Sequence, residues 1–389
     1  LNVNELREAR KKDIAATIEF KEPTRVPVGI EVITWPIAYA GYKTEDVIQD
    51  PDLMVEAYTK VFDNLYLDCT TMLNGINMPI AAIKALGSDG YVVSKDGVTI
   101  QHVQNTVMRE DEYPKLINDT RNFMLNELPL RKFKKLTGSD EEAYAALKES
   151  IRLFNIQSKG NAKIAETIDK KYGVPNITGP GGQSPPLDVL FDVVRGFKET
   201  IADLRRRPKE VEAALEALYE FGKPANTEEV VAKNQPFPFA MTALHTTPFI
   251  NKKQMDEYWW PYMKKIVQRV VDAGGKFYIK GEGNTSVIYD YMKEFPKGTF
   301  VLHLGEEDDV YEAYEKIGDL SVICAGLSPV QMKYLSKEKC LDEAKRIVDT
   351  LAPGGGFIWM PNRPLLCADD VNVDNLFTVY SFVHEYGKY

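Results

Sequence analysis

The strongest constraint on this chain is a set of eight apolar runs of strand length with helical patterns between them. They are Val26–Val32, Leu65–Cys69, Val174–Gly179, Phe237–Leu244, Lys276–Gly281, Thr299–Leu304, Leu320–Ala325 and Phe357–Met360. Short apolar runs of this kind read as strands buried on both faces, and alternation with helices implies a parallel sheet. Eight such units predict an α/β fold, a (β/α)8 TIM barrel with its active site at the C-terminal strand ends. The runner-up, a doubly wound open sheet, would carry a dinucleotide fingerprint. Gly179-Pro180-Gly181-Gly182 lacks that spacing, and Lys280-Gly281-Glu282-Gly283 is not a Walker loop.

The N-terminal half carries an insertion. Tyr91–Val93 and Val98–Ile100 flank Lys95-Asp96-Gly97, a β-hairpin signal. Ser139–Tyr172 is charged with helical spacing, and Gly222–Asn234 reads as a surface connection or a lid. The 389 residues are expected to form a single domain, 1–389. The formal charge of −9 argues against nucleic acid, since phosphate binding needs clustered Lys and Arg. No apolar stretch approaches the ~18 residues of a membrane span and no secretory h-region opens the chain, so a cytoplasmic protein is expected.

Four histidines and four cysteines give any metal or acid–base site a short candidate list. His245, His303, Cys69, Cys324 and Cys367 fall at expected strand ends, with Lys280, Glu282, Asn284, Trp35 and Arg363. Thiolate, imidazole and one carboxylate form a set that zinc takes. Each residue also has a plainer reading. Cys69 and Cys324 suit a core, and the histidines suit buried rings bonded to backbone. Cys340, His102 and His384 are read as structural. Glu282 between two glycines, with Lys280 before it on the same face, favours function, as does Cys367 in a polar loop beside Asp369-Asp370. Trp35 is the candidate for stacking on an aromatic substrate.

Several segments resemble the uroporphyrinogen decarboxylase superfamily. They are Arg195-Gly196-Phe197 through Arg207-Pro208, Tyr258-Trp259-Trp260-Pro261-Tyr262, Ile279–Asn284, Cys324-Ala325-Gly326-Leu327-Ser328-Pro329 and Gly356-Phe357-Ile358 with Asp374-Asn375-Leu376. The resemblance runs from about Leu187 to the end and implies the same barrel. True decarboxylases carry an Arg-rich segment after the first strand. Ile33–Tyr42 here contains no Arg, so porphyrinogen decarboxylation is not expected.

The other branch, the corrinoid-dependent methyltransferases, places His-x-Cys at the fifth strand end and another Cys after the eighth. Here those positions read Lys280-Gly281-Glu282, with Cys367 near the last. The resemblance therefore implies an O-demethylase component of an anaerobic system. It would move a methyl group from a methoxylated, aromatic substrate to the Co(I) of cobalamin. Zinc would be held by Glu282, Cys367 and His303 or His245, with Cys324 as substitute, or a proton donor would replace it. Lys280, Glu282 and His245 would be catalytic, and Trp35, Asn284 and Arg363 would bind substrate. The chain has no Asp-x-His-x-x-Gly pattern, so the corrinoid is expected on a separate protein docking at the barrel mouth. A homo-oligomer is compatible with this reading. The alternatives are a decarboxylase of a small organic or tetrapyrrole acid, with Lys280 and Arg363 on the carboxylate, and a non-catalytic corrinoid-protein-binding module.

Overall fold

The computed structural model describes residues 2–76, 78–103, 106–178, 182–224, 227–233 and 236–389. Among them the strands are β1 (Gly29–Val32), β2 (Cys69–Asn74), β3 (Tyr91–Val93), β4 (Ile100–His102), β5 (Phe239–Ala243), β6 (Lys276–Lys280), β7 (Phe300–His303), β8 (Val322–Ala325) and β9 (Phe357–Trp359). Strands β5 to β9 form a parallel sheet in chain order, and β1 pairs in parallel with β2. Single parallel bridges extend the circle, Val28 to Trp359 on one side and Thr70 to Asn176 on the other. The expected third strand is thus reduced to a bridge at Asn176 followed by a turn.

The glycine run 179–181 lies outside the described residues. Gly182, just after it, shows why the loop needs glycine. A Cβ there would stand 1.8 Å from the Met241 carbonyl oxygen, so the chain lies directly on the β5 backbone.

The barrel has two apolar layers. Ile177, Phe239, Tyr278, Val301, Val322, Cys324, Ile358 and Met360 fill the inside. The helix Val3–Ile18 closes the lower end with Ile14 and Ile18. It is started by a capping box between Asn2 and Glu5. A larger shell packs the strands' outer faces against the surrounding helices. Among the described residues no helix is long and apolar enough to cross a membrane.

The insertion is present as expected: β3 and β4 pair antiparallel, Tyr91 facing His102, and belong to neither barrel sheet. The charged stretch after it forms one helix, Asp140–Thr167, with its own capping box at Ser139 and Glu142. The stretch read as a surface connection instead contains the helix Thr227–Lys233. Glu228 and Glu229 in its first turn are exposed, a polarity that composition alone does not separate from a loop.

Candidate active site

A cavity of about 1130 Å³ opens between the barrel mouth and the insertion. His245, just after β5, and Glu282, just after β6, stand on its floor with Asp192. Asp192 comes from the short helical segment Pro186–Val194, whose second half is wound as a wide i→i+5 turn. Such turns re-aim side chains and recur at functional sites.

His245 is held on both sides. Its Nδ1–H donates to Asp192 Oδ2, and Nε2 lies 3.5 Å from Glu282 Oε1. Burial alone would lower its pKa. The Asp192 hydrogen bond and the charges of Glu282 and Asp188 outweigh that, and the imidazole is pushed up to about 9. At neutral pH it is therefore an imidazolium. Burial raises the Glu282 carboxyl above its ordinary value, opposed by His245 and Lys280. Behind the ring, Asp188 accepts from the Thr246 N–H at 2.9 Å and from the Thr246 hydroxyl. Burial still pushes Asp188 up to about 6, and its second oxygen has no partner. Asp188 and Asp192 therefore support His245 together, one turn apart on the same segment.

The walls are aromatic on two sides. Tyr91 and His102 of the hairpin stack at 4.8 Å, and Phe191 and Phe249 stack at 5.9 Å. Three cations line the wall at 131–134. Arg131 is paired with Glu112 at 2.6 Å, and Lys134 lies 3.8 Å from Asp89. Lys132 is half-buried, and among the described residues no carboxylate pairs with it. Burial lowers its ammonium pKa.

The other candidates lie away from this cavity. Register aligns Ala243, Lys280, His303 and Cys324 across neighbouring strands. The last three form one layer inside the barrel, below the mouth. Lys280 is buried 4.0 Å from Glu31 Oε2 and donates to the Asn362 carbonyl at 3.1 Å. His303 is fully buried. Its Nε2–H donates to the Pro361 carbonyl at 2.7 Å, and its Nδ1 accepts from the Tyr278 hydroxyl at 2.9 Å. A carbonyl can only accept, so Nε2 carries a proton; burial and the Lys280 charge hold the ring well below the ordinary imidazole value, so Nδ1 is left to accept. Burial pushes the Cys324 thiol up to about 12.

Trp35 is taken up by the core, stacked on Tyr39 at 5.0 Å. Asn284 closes a turn by accepting from Ser286 N–H at 2.9 Å. Arg363 is paired with Asp370 at 2.9 Å, and the same carboxylate accepts from the Cys367 N–H at 2.7 Å. Burial raises the Cys367 thiol, which lies beside Thr99 of the hairpin loop.

The zinc set expected from the sequence is therefore not brought together. Among the described residues no group of three His, Cys, Asp or Glu side chains is arranged to hold a metal. Both His303 nitrogens are engaged, and a lysine occupies the position where the resemblance calls for a histidine ligand. These residues do not fit zinc.

Sequence reasoning missed Asp192, Asp188 and Lys132, and placed Glu31 at the end of the first strand without giving it a role. The spacing of Asp188 and Asp192 was the available signal for the first two. Glu31 is buried beside Lys280 and His303, its Oε2 without a hydrogen bond, and burial raises its pKa against the Lys280 charge.

None of the curated proteins matches this chain. Among solved structures, a methyltransferase from Methanosarcina mazei is similar, with 15% identity over 97% of this chain and 98% of that one, at a TM-score of 0.61. That likeness shows the fold. The family model described as Uroporphyrinogen decarboxylase (URO-D) matches residues 161–386, more than half of the sequence and all of β5 to β9. The chain belongs to the uroporphyrinogen decarboxylase family.

Proposed function

We propose that this chain is the substrate-binding methyltransferase of a demethylation system, and that it takes the methyl group from the oxygen of a methoxylated aromatic donor. The observation that carries the reading is His245, kept protonated by Asp192 and Glu282 on the floor of an aromatic-walled cavity. The similar structure from Methanosarcina mazei is that of a methyltransferase, in agreement with it.

An aryl oxide leaves poorly while its negative charge is unrelieved. His245 Nε2–H donates to the ether oxygen as the C–O bond breaks, so the product leaves as a neutral phenol. Asp192 orients the ring, and Glu282 holds the imidazolium charge until the proton moves. The methyl acceptor is the Co(I) of a corrinoid carried by a separate protein at the cavity entrance. The role that zinc would have had falls to the imidazolium. Lys132 adds a preference for donors with an anionic group remote from the methoxy group, since a half-buried cation without a counter-charge gains most from one.

The decarboxylase alternative needs Lys280 and Arg363 on the substrate carboxylate. Both are engaged elsewhere, one inside the barrel and one with Asp370.

Leaving-group dependence tests the proposal. Methyl transfer to free cob(I)alamin is measured with methoxybenzene and 4-nitromethoxybenzene, for the native chain and His245→Gln. General acid catalysis contributes ~10²–10⁴. A loss in that range on the first donor, and a much smaller one on the second, is expected. Equal losses on both, or release of CO₂ from an acid substrate without methyl transfer, overturn it.

A further inference from the structure

The long helix Asp140–Thr167 turns one face inward with Ala146, Ser150, Leu153, Gln157, Gly160 and Ile164. Gly160 lets it sit hard against the preceding layer, since a Cβ there would stand 2.5 Å from Met54 Sδ. About a third of a turn round from that face are Tyr144, Leu147, Ile151 and Phe154, exposed to 68%, 43%, 59% and 51%. Lone exposed apolar side chains are ordinary, but a contiguous row of four large ones is not. Their positions i, i+3, i+7 and i+10 make the narrow seam through which one helix packs on another.

The row reads the same in both directions: aromatic, aliphatic, aliphatic, aromatic, with steps of three, four and three. In a two-fold interface residue i meets residue j while j meets i, so antiparallel packing centred on this row sets aromatic against aromatic and aliphatic against aliphatic. We infer that this face is the seam of a homodimer in which the helix packs antiparallel on the same helix of a second copy. Tyr144 meets Phe154 and Leu147 meets Ile151, each pair occurring twice.

Charge supports the antiparallel sense. Asp140 and Glu141 lie beyond Tyr144, and exposed Lys159 lies beyond Phe154. Antiparallel packing puts the acidic end of each helix beside the basic residue of the other, whereas parallel packing would put like charges together. Glu149 and Arg152 pair with each other at 2.7 Å. The one unfavourable juxtaposition is Lys148, which flanks the axis in both copies and has the length to carry its charge out to water.

The test uses the full chain in sedimentation equilibrium, with circular dichroism to confirm folding. The native chain is expected to dimerise at micromolar concentration, and Ile151→Glu to raise the dissociation constant at least about tenfold. Glu141→Lys and Lys159→Glu each weaken the dimer alone. Mixed together they form a heterodimer, since each chain then supplies the charge that the other lacks. A monomeric native chain, a dimer insensitive to Ile151→Glu, or mixed variants that fail to associate overturns the inference.

Discussion

His245 Nε2 lies 3.5 Å from Glu282 Oε1, on the side of the ring away from Asp192. The two carboxylates come from separate parts of the chain, one from a helical segment and one from a strand end. Each raises the proton affinity of the imidazole, Asp192 through a hydrogen bond and Glu282 across a longer gap. An incoming oxygen therefore meets the nitrogen whose partner is more loosely held.

The pH dependence follows from the direction of the shift. The folded value of about 9 lies above the ordinary imidazole value of 6.5, so the folded chain holds a proton that the unfolded chain releases between them. The stabilisation from this proton is complete below pH 6.5 and is lost as pH rises through about 9. Turnover is expected to fall over the same alkaline limb. A pH–rate profile checks the limb, and the His245 resonance followed by NMR assigns it. A limb near the ordinary imidazole value would contradict the geometry.

Asp192→Asn removes the counter-charge and keeps the shape. The alkaline limb is expected to move down by at least a full pH unit, with a tenfold or greater loss of rate at pH 8. Glu282→Gln shifts the limb in the same direction. Profiles that stay in place would show that neither carboxylate supports the ring.

Lys132→Met is expected to leave the binding of 4-methoxybenzamide unchanged. Binding of 4-methoxybenzoate should weaken about tenfold, the size of one charge-assisted hydrogen bond. Calorimetric titration with both compounds reads this without turnover. An equal effect on both would show that Lys132 acts through packing alone.

Metal analysis of the purified chain is expected to find zinc far below one per molecule, and a chelator should leave methyl transfer to free cob(I)alamin unchanged. Stoichiometric zinc, lost together with activity on chelation, would reverse the assignment of the acid role to His245.

Gly182→Ala places a methyl group against the Met241 carbonyl at 1.8 Å, and that carbonyl belongs to a strand held by its neighbours. Overpacking of this kind costs ~1–3 kcal/mol or more. A fall of several degrees in Tm is expected by calorimetry, and a wild-type value would mean that the loop relaxes freely.

The strands were legible because burial on both faces leaves an unbroken apolar run. The third was overstated because Val174–Gly179 has the composition of a strand, but among the described residues its one β-bridge is at Asn176. His245 and Glu282 were legible as polar residues just past strand ends. His303 sits on the last residue of β7, where a step of one position decides between the mouth and the packed interior. That register is fixed by pairing with Lys280 and Cys324 and leaves no mark in the sequence. Arg363 was misread for a similar reason, since its partner Asp370 is supplied by the fold of the loop. Asp192 was hidden among apolar neighbours, in a segment whose wide turn no local pattern announces.

The hairpin of β3 and β4 walls the cavity with Tyr91, Ile100 and His102 yet is hydrogen-bonded to neither barrel sheet. One wall of the cavity and the His245 cluster thus lie on separable stretches of chain. A descendant can exchange the hairpin, and with it the guest that the cavity admits, while the imidazolium and its two carboxylates stay where they are. Diversification within such a lineage is expected to concentrate between Gly90 and Val103, and grafting that stretch between relatives becomes a direct way to reshape one wall of the cavity.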